Sequence, residues 1–289
     1  MKIKFTAADG VLLKGRVFTA QNPHAVVLLN PGTAIRTGFY VPFAEFMAEN
    51  GYCVLLWNYR GFCESRTEKL AGSKIRFSDI GRLDIPAAIT KARSLFPDLP
   101  LYCVGHSVGG QQLGLAENCN EVKGLVAVGS STGHFGGMPA SYRLKAQLFF
   151  KLISPVSTAL FGYVRASALR LMEDLPPELA REWGRWCSKE DSLFDPRFAG
   201  EFEYRDYEFP VHVITADDDE IATTANSDGL WKHVRSSQPI TQTHYRAADM
   251  PGKRIGHFNY FRRSHGAIWE DIRLQLDTFS KKEAGKEPA

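Results

Sequence analysis

Leu101-Tyr102-Cys103-Val104-Gly105-His106-Ser107-Val108-Gly109-Gly110 is the stretch on which the reading of this chain turns. An apolar run, Leu101 to Val104, follows the turn-forming Pro97 and Pro100, and a helix-like segment, Gln111 to Cys119, comes after. The middle reads Gly-x-Ser-x-Gly. Between a strand and a helix this pattern makes a nucleophile elbow, a turn so sharp that its serine is held in a strained backbone conformation. Gly105 and Gly109 leave room where a side chain would strike the neighbouring strand or helix. Ser107 is thereby carried to the end of the sheet, with the Val108 N–H and a helix N-terminus aimed at the same point.

Strands and helices alternate on both sides of this stretch. Asp9-Gly10 separates two alternating segments, 2–7 and 12–18, and predicts an antiparallel hairpin. Residues 25–29 and 52–57 are continuous apolar runs of the kind buried on both faces of a sheet. Residues 41–50 and 78–96 have helical spacing, with Gly51 as the stop signal of the first. A further strand is expected over 122–128. Such alternation predicts a mainly parallel, doubly wound sheet. The pattern then changes. Residues 133–205 hold no convincing strand. Segments 141–153 and 158–172 look helical, and Pro176-Pro177-Glu178 opens another helix with Leu179, Trp183, Trp186 and Cys187 on one face. This segment reads as a helical cap inserted into a core formed by 1–132 and 206–289, its aromatic stripe serving packing before substrate contact. The sheet resumes at 210–216, followed by a helix at 225–234, a last strand at 241–247, a closing helix marked by Ile268, Ile272, Leu276 and Phe279, and a charged tail, 281–289.

A serine hydroxyl needs a base within hydrogen-bond reach, and the base needs an orienting carboxylate. The chain order Ser, acid, His is the one used on sheets of this kind. Asp217-Asp218-Asp219 follows the strand after the helical segment, and Gly256-His257-Phe258 follows the next strand. Both places lie at the carboxyl edge of a parallel sheet, where sites gather. Asp219 is the expected acid, Asp218 the alternative. His257 is the expected base, His265 the runner-up, and His106 is set aside because neighbouring side chains at a sharp turn point apart. The second N–H of an oxyanion hole, beside that of Val108, is expected from Thr33 or else Ala34, after Asn30-Pro31-Gly32.

The totals exclude several classes. The 289 residues carry 35 basic and 32 acidic side chains, a near balance that implies no nucleic-acid partner. The five cysteines form no C-x-x-C pair, which points to reduced thiols in a cytoplasmic protein rather than a disulfide framework or zinc site. Neither a signal-peptide pattern nor a run of membrane-spanning length is present.

The chain resembles the serine α/β-hydrolase superfamily along essentially its whole length, and more narrowly a poorly characterised bacterial group of predicted α/β-hydrolases. The resemblance is carried by Pro31-Gly32-Thr33, Phe43-Ala44-Glu45-Phe46, Tyr59-Arg60-Gly61, Gly105-His106-Ser107-Val108-Gly109, Trp183-Gly184-Arg185-Trp186-Cys187 and Ile255-Gly256-His257-Phe258. It implies the α/β-hydrolase fold, a triad of Ser107, Asp219 and His257, a cap over the site, and no cofactor. The sequence departs from the superfamily at Asn30-Pro31, where a His is common, at Asn58, often Asp, and at Cys63 and Ala216, often Gly. The expected reaction is cleavage of an uncharged acyl ester through an acyl-enzyme. The alternatives are acyl transfer or peptide hydrolysis by the same groups, and a non-catalytic protein that binds a small apolar ligand.

Overall fold

The computed structural model describes residues 1–169, 172–195 and 203–284. One eight-stranded sheet runs through it in the order β1-β2-β4-β3-β5-β6-β7-β8. The strands are β1 (Lys2–Thr6), β2 (Leu12–Phe18), β3 (Ala25–Asn30), β4 (Tyr52–Asn58), β5 (Leu101–His106), β6 (Leu125–Val128), β7 (Val211–Ala216) and β8 (Thr241–Tyr245). The β1–β2 and β2–β4 pairs are antiparallel, and all the others are parallel. This is the α/β-hydrolase fold, with the expected N-terminal hairpin at one edge. The continuous apolar runs explain the centre: every residue of β3, β4, β5 and β6 is buried. Alternate side chains of these strands then enter two separate cores. Val26, Leu28, Cys53, Leu55 and Cys103 face one, and Val27, Leu29, Val54, Tyr102 and Val104 face the other.

The first core packs against α2 (Ile85–Leu95) and the second against α1 (Val41–Glu49) and the closing helix, α8 (Gly266–Ala284). Between them in the chain come α3 (Val108–Gln111), α4 (Ala140–Leu148), α5 (Ser154–Phe161), α6 (Pro177–Trp186) and α7 (Thr224–Trp231). Between β6 and β7 the described residues form helices, turns and loops, with extended pairing only in two isolated bridges, Val164 with Leu175 and Tyr207 with Ser236.

Four expected elements differ. The helix over 111–119 is α3 alone, starting at Val108, followed by two 3-10 turns; Gly109, Gly110 and Gly114 make a poor helix, and Gln112 turns to accept the Gly81 N–H. The strand over 122–128 begins only at Leu125, because Val122 closes the preceding turn onto Cys119. The segment 78–96 is a wide π turn, Ile80–Asp84, running into α2. The helix over 158–172 ends at Phe161, where Gly162 takes the left-handed conformation at φ 79° and donates its N–H to Thr158. Arg170 and Leu171 of that segment lie outside the described residues, as do 285–289 of the expected tail, whose beginning continues α8.

Candidate active site

The site is built at the carboxyl ends of β5, β7 and β8. At the end of β5, Ser107 has φ 53° and ψ −117°, a region that costs a non-glycine residue about 1–3 kcal/mol. The strain is held in place by close packing on both sides. A Cβ on Gly105 would stand 2.5 Å from the Gly110 nitrogen, and one on Gly109 would stand 2.4 Å from the Asn30 carbonyl oxygen. Asn30 supports the turn directly. Its Nδ2 donates to the Gly109 carbonyl, while its Oδ1 accepts the Trp57 indole N–H. The Ser130 hydroxyl ties down the Ser107 carbonyl from β6's end at 2.9 Å.

Ser107, His257 and Asp219 come together although up to 150 residues separate them. Ser107 Oγ lies 3.0 Å from His257 Nε2. His257 Nδ1 lies 3.0 Å from Asp219 Oδ2 and 3.1 Å from Oδ1. Asp219 is buried, and its carboxylate is saturated with donors: the Ile221 N–H at 2.9 Å, the Ala222 N–H at 2.7 Å and the Tyr260 hydroxyl at 3.1 Å. Burial by itself raises the pKa of this carboxyl, but the His257 ring and the N–H donors outweigh it, and the net shift is downward. Asp219 is therefore anionic, which requires Nδ1 of His257 to carry the ring proton and leaves Nε2 to accept from Ser107.

The neighbouring aspartates have other partners. Asp218 receives the Ile255 N–H on Oδ2 at 2.9 Å and the Gly256 N–H on Oδ1 at 2.8 Å, and so shapes the loop that carries His257. Asp217 is exposed, yet it also accepts the Ala247 N–H at 2.8 Å. His265, the runner-up base, is buried elsewhere and bonds to the Arg254 carbonyl at 3.0 Å.

His106 lies away from the Ser107 hydroxyl but is part of the support. Its Nε2 is 2.9 Å from the His257 carbonyl, and its Nδ1 is 2.6 Å from the Tyr40 hydroxyl. A carbonyl only accepts, so Nε2 carries the proton. Nδ1 then accepts from Tyr40, whose oxygen accepts the Gly32 N–H at 2.8 Å. Burial, with the His257 ring adding to it, pushes the pKa of His106 down to about 3, so the ring is neutral. One chain of hydrogen bonds thus links the loop after β3 to the backbone of His257.

Ser107, Val108, Thr33, Ala34 and His257 all line one cavity of about 680 Å³, within the usual range of small-molecule sites. Among the described residues, neither the Thr33 nor the Val108 N–H has a protein acceptor. Ala34 has φ 57°, and its carbonyl accepts the Glu173 N–H. The opposite wall is apolar and comes from the segment after β6: Met138, Phe149, Phe150, Met172 and Trp183. Of the expected aromatic stripe, Trp183 stacks on Phe77 and reaches the cavity, as does Cys187, while Leu179 and Trp186 are buried in the core. Among the described residues, no group of three or more His, Cys, Asp or Glu side chains is arranged to hold a metal ion.

Tyr40, Tyr260 and Ser130 were not legible as site residues. Tyr260 could have been found from its place three residues after His257, whereas Tyr40 and Ser130 reach the site only through the fold.

A mainly parallel eight-stranded sheet with a serine elbow after its central strand defines the serine α/β-hydrolase superfamily. Within it the chain belongs to the hydrolase family described as serine aminopeptidase, S33, whose model matches residues 21–173, more than half of the chain. A comparison with curated protein sequences finds no match. Among solved structures, the chain is similar to a soluble variant of monoglyceride lipase from Saccharomyces cerevisiae in complex with a substrate analogue. The identity there is 16%, the TM-score 0.67, and the match covers 95% of this chain and 94% of the lipase. An esterase from Exiguobacterium antarcticum matches with 12% identity and a TM-score of 0.62, over 96% of this chain and 100% of the esterase. A thermostable carboxyl esterase from Bacillus coagulans, in complex with glycerol, matches with 14% identity and a TM-score of 0.61, over 96% and 98% of the two chains.

Proposed function

We propose that the protein hydrolyses an uncharged acyl ester through an acyl-enzyme, with Ser107 as nucleophile, His257 as general base and acid, and Asp219 as the orienting carboxylate. The observation that carries this reading is the line Ser107 Oγ, His257 Nε2, His257 Nδ1, Asp219, in hydrogen-bond contact throughout and opening on an apolar cavity. Ser107 Oγ attacks the acyl carbonyl and its proton passes to His257 Nε2. The imidazolium is stabilised by Asp219, and the oxyanion by the Thr33 and Val108 N–H groups. His257 then gives the proton to the departing alcohol, and water, activated by the same ring, releases the acid.

The cavity disfavours a cationic substrate, since Arg36 and Lys145 line it. Glu173 is the one carboxylate among its described lining residues, and it is already engaged by Arg36 at 3.5 Å and by the Cys63 N–H at 2.8 Å. A substrate with a free amino group finds no open counter-charge there. Residues 133–205 act as a cap, and those of its apolar side chains that line the cavity, Met138, Phe149, Phe150, Met172 and Trp183, select the acyl group. Turnover of p-nitrophenyl esters of graded chain length tests both parts. Ser107→Ala should lose activity by ~10³-fold or more, and Trp183→Ala or Phe149→Ala should change chain-length preference. Wild-type-like turnover in the serine variant would overturn the nucleophile assignment; unchanged preference in folded cavity variants would overturn the role of the cap.

A further inference from the structure

The segment that walls the cavity has a second apolar face, turned away from it. Leu144, Leu148, Leu152, Val156 and Leu160 recur every fourth residue, and all are exposed, Leu144 to 68% and Leu160 to 71%. Phe161 adjoins them, also exposed. An i, i+4 repeat drifts by about 40° per step around a straight α-helix of 3.6 residues per turn. Here α4 and α5 are joined without interruption by a wide π turn, Phe149–Ile153, which underwinds the middle of the run and offsets part of that drift. The apolar side chains therefore form a continuous stripe along a helical run of 22 residues, Ala140 to Phe161.

The charges beside the stripe have one sign. Arg143, Lys145 and Lys151 are exposed on the same run, Arg165 follows just beyond it, and the sequence holds no Asp or Glu between Glu121 and Glu173. Among the described residues no helix is long and apolar enough to cross a membrane. A moderately apolar helix with an exposed leucine face and a basic border is instead suited to lie in the interface plane of a bilayer with anionic headgroups. A second copy of the same face would bring like charges together. The inner side of the same run supplies Tyr142, Lys145, Ala146, Phe149 and Phe150 to the cavity above Ser107.

We infer that this face docks on an anionic lipid surface, and that the ester reaching Ser107 is drawn from that surface through the cavity beneath the helices. The substrate class is then a membrane-borne, long-chain acyl ester, a statement that rests on the serine hydrolase reading, whereas the docking does not.

The test is sedimentation of the full chain with vesicles of equal parts phosphatidylcholine and phosphatidylglycerol. It is paired with hydrolysis of a long-chain p-nitrophenyl ester carried in the vesicles and of a short-chain ester in solution. The Ser107→Ala variant should bind vesicles as the wild type does, which separates docking from catalysis. The triple variant Leu144→Ser, Leu152→Ser, Leu160→Ser changes exposed side chains outside the cavity lining. It should bind at least about tenfold more weakly, lose the vesicle-borne activity in proportion, and keep the short-chain activity. Binding should fall with added salt and on pure phosphatidylcholine. Equal binding by the triple variant, or wild-type chain left in the supernatant, would overturn the docking. A wild-type dimer that the triple variant dissolves, with no vesicle binding, would assign the face to a second copy. Vesicle binding without faster cleavage of the vesicle-borne ester would overturn the substrate class alone.

Discussion

Asp219→Asn changes the chemistry of the orienting acid with almost no change of shape. Asp219 Oδ1 accepts two backbone N–H groups, from Ile221 and Ala222, at 2.9 and 2.7 Å. Those donors require an oxygen at that position, so the amide nitrogen of the variant takes the Oδ2 position, now 3.0 Å from His257 Nδ1. Two N–H groups cannot face each other. Oδ1, at 3.1 Å from Nδ1, is already shared by two backbone N–H groups, so the ring proton shifts toward Nε2, which stands 3.0 Å from Ser107 Oγ and can then no longer accept the serine proton. The counter-charge of the imidazolium is lost as well. A serine protease whose triad Asp becomes Asn loses about 10⁴-fold in turnover. A loss of about 10³ to 10⁴ is expected here, roughly 4 to 5.5 kcal/mol of barrier. Turnover of a p-nitrophenyl ester, read beside the thermal melt, is the assay. Asp218→Asn cannot satisfy both the Ile255 and Gly256 N–H groups, so it should cost stability, about 1–3 kcal/mol, with a smaller loss of turnover. Asp217→Asn keeps an oxygen for Ala247 and should be nearly neutral. Turnover of Asp219→Asn within tenfold of wild type, or a severe loss confined to Asp218→Asn, would refute this reasoning.

Two further outcomes follow from the chain of bonds behind the site. Tyr40→Phe leaves the buried Gly32 N–H and His106 Nδ1 without partners, at about 1–3 kcal/mol each; the melt should fall by several degrees and kcat should drop as the Thr33 loop shifts, whereas an unchanged melt would mean that the Tyr40 hydroxyl holds neither group. His106 should stay neutral, since its pKa is held at about 3, below its ordinary value of 6.5. The native state therefore favours the neutral ring, and the stability this group contributes is present above about pH 6.5 and lost as pH falls from there toward 3. Its ring resonances should keep neutral values down to about pH 4, and a titration near pH 6.5 in folded protein would contradict the network.

The sheet was legible because β3, β4 and β5 are apolar up to their last one or two residues and end in turn signals, a pattern set by burial on both faces. The pairing of Ser107, Asp219 and His257 was legible because Ser107 closes β5, Asp219 lies in the turn after β7 and His257 in the loop after β8, so the chain order places them at one edge. The helices between β6 and β7 were read less well. Apolar periodicity predicted a helix through 158–172, but a single left-handed glycine, Gly162, ends α5, and the chain turns back to pair Val164 with Leu175. Short-range pattern also missed what only tertiary contact creates: Tyr40 under the loop after β3, Ser130 under the elbow, and separate backbone duties for each of three consecutive aspartates.

The central claim is that Ser107 is an activated nucleophile, and covalent labelling tests it most directly. The wild-type chain is treated with a fluorophosphonate, its intact mass measured, and the modified peptide sequenced. One adduct is predicted, on Ser107, absent from Ser107→Ala and formed far more slowly in Asp219→Asn. No adduct on the folded wild type, or an adduct of equal extent in Ser107→Ala, would contradict the account.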